Sequence, residues 1–144
     1  MKMTLFRKGL VVMMCFIFFI VGACDHAKMR KVYSDPSNFV TVTGKVGSIY
    51  FNDEHSALYL YIENLPSDFV DSYFKIVGKN LDIVNNESIS SKIHKGDEIE
   101  FITSPWYLGN GYVMPIVGLT TADGEELLSF DEGQKNLLKW IGWW

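Results

Sequence analysis

Two hydrophobic rhythms divide the chain. From Leu10 to Ala23 (LVVMMCFIFFIVGA) every residue is apolar or small, a run of 14 without period. Asp25–Asn38 is polar, mixed in charge and ends in Asp35-Pro36-Ser37-Asn38, which reads as a short tether. From Phe39 onward apolar residues recur at every second position, the spacing of a half-buried strand. In Phe39–Phe51, Val40, Val42 and Val46 share one face with Gly44, where a glycine predicts a bulge or a bend. Asn52–Ser56 is a polar turn. Ala57–Glu63 then alternates cleanly, with Leu58, Leu60 and Ile62 inward and Tyr59, Tyr61 and Glu63 outward. Two such strands across a short polar loop predict an antiparallel hairpin.

The alternation breaks at Asn64–Asp68 and resumes in Phe69–Val77, a third strand ending at Gly78. Asn80 is placed to cap a short helical turn through Val84, and Ser88–Ile93 is a second helical turn. Lys95-Gly96-Asp97 turns into a fourth strand, Glu98–Thr103, with Ile99 and Phe101 on one face. Tyr112–Thr120 is a fifth, and Pro115 suggests that part of it lies at a sheet edge. After the Asp123-Gly124 turn the period changes. A helix is predicted from about Ser129, with Ser129 and Glu132 at capping-box spacing. Leu137, Leu138, Trp140, Ile141 and Trp144 form its broad apolar face. That face suits packing on the β-domain. A second membrane contact is the competing reading, and the few cations nearby count against it.

The apolar run changes meaning once its flanks are considered. Lys2, Arg7 and Lys8 precede it with no acidic residue, and Val21-Gly22-Ala23-Cys24 closes it. Fourteen residues suit a signal-peptide core and fall short of the roughly 20 that a spanning helix needs. Val21-Gly22-Ala23-Cys24 resembles the lipobox of bacterial lipoproteins. The resemblance implies cleavage before Cys24, lipid on its sulfur, and a domain displayed from a bacterial cell membrane toward the periplasm or exterior. Two or more acyl chains pass the threshold for stable anchoring. Asp25 resembles an inner-membrane retention signal of enteric lipoproteins. On this reading residues 1–23 are the signal peptide and 24–38 the lipidated N-terminus and tether. Residues 39–122 are the β-domain and 123–144 a C-terminal helical segment.

Losing 23 of 144 residues leaves 121, enough for one domain with a core. Cys15 leaves with the leader and Cys24 carries lipid, so no disulfide holds the domain together. The 13 basic residues fall to 10 against 17 acidic ones, a net charge near −7. Such a surface repels phosphate backbones and argues against a nucleic-acid partner.

The fold resemblance rests on three stretches: Val40–Val46 (VTVTGKV), Ala57–Ile62 (ALYLYI) and Ile93–Phe101 (IHKGDEIEF). Five strands with a helical insertion between the third and fourth resemble an OB-fold. The implied class is mainly β, a small five-stranded OB-like antiparallel barrel with a C-terminal helix. An OB-fold binds on its second and third strands and the adjoining loops. The resemblance therefore directs attention to the outward Tyr59 and Tyr61. It also points to the loop Ser104–Tyr112, where Trp106, Tyr107, Asn110 and Tyr112 surround two glycines. Alternating tyrosines also serve simply to cover a sheet. Glu63, Asp53 and Glu54 flank the pair, with Lys45 the one cation expected nearby.

Candidate chemistry is sparse. His26, His55 and His94 stand in separate segments without ligand spacing, so neither a metal nor a cofactor is expected. No serine sits in a nucleophile-elbow motif, and the acidic residues form no catalytic pair. The sequence reads as a non-enzymatic lipoprotein. It is expected to touch a membrane through its lipid and to bind a protein or another envelope component. A receptor for a small ligand or oligosaccharide, using the aromatic loop face, is the alternative.

Overall fold

The computed structural model describes residues 27–69, 73–105 and 113–142. Residues 1–26, which hold the expected signal peptide and Cys24, lie outside the described residues, as do Trp106, Tyr107, Asn110, Tyr112 and Trp144. Helical residues 27–34 (α1) lead into a 3-10 turn, Pro36–Asn38, whose N-cap Asp35 accepts from the Ser37 amide. The strands follow as β1 (Val40–Asn52), β2 (Ala57–Glu63) and β3 (Tyr73–Val77). Helices α2 (Gly78–Asn86) and α3 (Ile89–Lys92) separate them from β4 (Glu98–Thr103), β5 (Met114–Thr120) and β6 (Glu126–Leu128). Helix α4 (Phe130–Ile141) completes the order.

The six strands make one mainly antiparallel sheet in the order β3-β2-β1-β4-β5-β6. The expected small five-stranded OB-like antiparallel barrel with a C-terminal helix is met in part: the strands are mainly antiparallel and a C-terminal helix follows them, but there are six strands rather than five. A parallel contact of only two residue pairs, Phe74 with Met114 and Lys75 with Pro115, links β3 to β5.

Alternation sorts the side chains into two apolar layers. Leu58, Leu60 and Ile62 of β2, Phe74 and Ile76 of β3, and Ile99 and Phe101 of β4 fill the inner one. Phe74 meets Phe101 edge-on at 4.8 Å, a contact worth about 1 kcal/mol beyond the area it buries. Leu81 and Val84 of α2, Ile89 of α3 and Ile93 join the same cluster. The second layer lies on the opposite side of the strands. There Ala57, Val77 and Val117 pack with Leu137 and Ile141 of α4 and with Tyr33 of α1. Phe39 stands 5.3 Å from Phe130, and Gln134 Nε2 donates to the Tyr33 carbonyl at 2.9 Å. Part of the polar segment before the sheet is thus packed, because Tyr33, Val32 and Met29 share the α4 side of α1.

Several local expectations need correction. The bulge in β1 falls between Val46 and Ser48, at Gly47 rather than Gly44. Phe69 is not in β3, which begins at Tyr73 among the described residues. Asn80 does not cap α2. It is buried and donates to the Gly133 carbonyl at 2.9 Å, while Asn136 Nδ2 donates to Asn80 Oδ1 at 3.1 Å. Pro115 is the second residue of β5, which has β4 on one side and β3 and then β6 on the other and is no edge strand. Its carbonyl accepts from Thr103 Oγ1 at 2.8 Å. Ser129 precedes α4 without a side-chain capping bond.

Candidate binding face

The side of β1–β3 that faces away from the inner core carries a cluster of aromatic residues beside α4. Hairpin register brings them together. Asn52 pairs with Ala57, and counting back along both strands sets Tyr50 opposite Tyr59. The β2–β3 register then sets Tyr61 opposite Tyr73 and Tyr59 opposite Lys75. Residues opposite one another in a sheet share a face, so Tyr50, Tyr59, Tyr61, Tyr73 and Lys75 form one patch.

The rings are in contact. Tyr50 stacks on Tyr59 with centroids 5.2 Å apart and planes 10° from parallel. Tyr61 tilts against Tyr73 at 5.1 Å. Tyr61 also lies across the backbone of Gly47. A Cβ added there would stand 2.5 Å from its Cδ1, so only glycine admits the ring. Tyr50 is 48% and Tyr73 41% exposed, while Tyr59 and Tyr61 are half-buried. The patch is therefore partly open to solvent.

Its border with α4 is made by Trp140. The indole lies over Gly78, whose φ of +57° and missing Cβ leave the space it occupies. Lys75 Nζ lies 5.4 Å from the Trp140 ring centroid, a cation–π distance. Lys75 is half-buried, and burial alone pushes its ammonium below the usual lysine pKa. The ion pairs among the described residues join Lys92 to Glu87 and Glu125, and His94 to Asp97. None of them involves Lys75. Glu63 borders the other end of the patch, with its carboxylate beside Gly47 and Tyr61.

Of the residues singled out in the sequence, the structure places Tyr59 and Tyr61 side by side on this face. Trp106, Tyr107, Asn110 and Tyr112 lie outside the described residues. Tyr50, Tyr73, Lys75 and Trp140 were missed. The signal for Tyr50 was present, because a hairpin closed at Asn52 and Ala57 can pair Tyr50 only with Tyr59. Lys45, opposite Glu63, lies at one end of this face, and Lys75 stands within the tyrosine patch. His55 and His94 are exposed and separate, and the described residues include no group of three or more His, Cys, Asp or Glu placed to hold a metal.

Comparison with protein families, with curated proteins and with solved structures finds no match to the chain.

Proposed function

We propose that this chain is an exported bacterial lipoprotein, held to the cell membrane by lipid on Cys24, whose aromatic β1–β3 face binds an envelope component without catalysing a reaction. The observation that carries the reading is the exposed tyrosine patch. Four tyrosines in register on three neighbouring strands, two of them more than 40% exposed, are an uncommon use of sheet surface. Aromatic rings with a polar tip suit recognition, because they give large contact area at little entropic cost. We further propose that the sheet is OB-like. In such a fold the second and third strands form the binding side, and here they carry Tyr59, Tyr61, Tyr73 and Lys75. The Val21–Cys24 lipobox supports the anchor. No helix among the described residues is long and apolar enough to cross a membrane.

A saccharide, rather than a protein, is the second reading. It is favoured by the phenol hydroxyls and the Lys75 ammonium on one surface, which match a polyhydroxylated ligand with little apolar bulk. The platform itself is tested by placing a photoreactive residue at Tyr61 or Tyr73 and irradiating cells. A discrete adduct from these positions, and none from Lys79 on α2, is the expected result. Equal adducts at all three, or none, contradict the reading. The anchor is tested by growth with a tagged fatty acid: label must appear on the chain and disappear in Cys24→Ala.

A further inference from the structure

We propose that the β2–β3 face takes an oligosaccharide bearing a single carboxylate, with the carboxylate on Lys75 and neutral sugar rings along Tyr61 and Tyr73. The proposal rests on the reading of this face as a binding platform and names its ligand class. It starts from an electrostatic oddity. In a chain with 17 acidic residues, the lysine of the aromatic patch has no carboxylate partner among the described residues. Its outer-face neighbours are Tyr59 across the strand pair, Tyr73 two residues back, and Trp140 from α4. None of these is an acid. The ammonium lies over the indole, and the ring face compensates it only in part.

A half-buried cation without a counter-charge among the described residues is poised for an anion. A ligand carboxylate there makes a charge-assisted hydrogen bond in a partly desolvated site, where such bonds are stronger than at an open surface. The number of charges on the ligand is limited by the surroundings. At the far end of the same patch Glu63 stands opposite Lys45, so no net positive charge is offered there, and the chain as a whole is acidic. A polyanion is repelled along most of its length, whereas one carboxylate at Lys75 is not. The rest of the ligand meets tyrosines. Tyr61 and Tyr73 offer ring faces to the CH-bearing side of a sugar and hydroxyls to its own hydroxyls. Residues two apart on a strand are about 6.8 Å apart, so Tyr73 and Lys75 address neighbouring units of a linear chain.

The test compares 3′-sialyllactose, which carries one carboxylate, with neutral lactose. Each is titrated calorimetrically into the full chain in detergent. Sialyllactose is expected to bind roughly ten- to a hundredfold more tightly, the range for a hydrogen bond to a charged group. Lys75→Met, which keeps an unbranched side chain and removes the charge, should erase that preference and leave lactose unchanged. Lys75→Arg should retain it, and Lys79→Met should not alter it. Tyr61→Ala should weaken both saccharides. Equal affinities in the unmodified chain, no binding of either saccharide, or a preference that survives Lys75→Met overturns the proposal. If the proposal fails while photo-crosslinks at Tyr61 and Tyr73 persist, the ligand class falls and the platform stands.

Discussion

Gly133 shows how one residue can carry two opposite signs. Read on its own, a glycine in a helix costs about 1 kcal/mol relative to alanine. Here it is the point where α4 touches β5. A Cβ at Gly133 would stand 1.9 Å from the Val117 carbonyl oxygen, and that oxygen is backbone and cannot step aside. Overpacking of this kind costs about 3 kcal/mol. Gly133→Ala is therefore expected to lower stability by about 2 kcal/mol net, read from urea midpoints. A gain in stability would show that the helix does not sit this close. Lys75 gives a second test at this scale. Its folded pKa is depressed by burial, so the unfolded chain holds the proton more tightly than the folded one. Stability from this group then rises as pH climbs from the depressed value toward the ordinary lysine value. Lys75→Met should raise the melting temperature at pH 7, and the gain should shrink toward pH 10. A gain that is constant with pH would contradict it.

Among the elements, those with a strict period were legible and those set by tertiary contacts were not. Leu58, Leu60 and Ile62 alternate without a break, and β2 falls on Ala57–Glu63 as read. Glu98–Thr103 is legible for the same reason. Three residues, Glu126–Leu128, show no alternation, and only their pairing with Leu119 and Thr120 makes them a strand. The pattern predicts a bulge or a bend at Gly44, whereas the register shift falls at Gly47, where the Tyr61 ring lies across β1. Asn80 has the composition of a cap and is instead drawn inward by Gly133 and Asn136. Ser129 has capping-box spacing to Glu132 and makes no capping bond, because the turn places Phe130 toward Phe39 and Tyr33. A working cap is worth about 1 kcal/mol. Ser129→Ala should consequently change the urea midpoint by far less than that, and a full loss would show that the cap forms in solution.

For the whole molecule, packing and display are divided between the two sides of the sheet. One side closes over the inner core under α2 and α3. The other is shared between α4, with α1 beside it, and the tyrosine patch, and Trp140 marks the line between covered and open surface. Half of that patch was readable: Tyr59 and Tyr61 point outward by alternation alone. Their partners follow from register, which depends on loop length and on a third strand whose start the pattern misplaced. The central claim is that this open side is occupied in the cell envelope. Hydroxyl-radical footprinting of the chain in native membranes, against the same chain purified in detergent, tests it most directly. Oxidation of Tyr50, Tyr61 and Tyr73 should fall in the membranes while that of His55 and His94 stays unchanged. Equal oxidation of the three tyrosines in both samples would contradict the account.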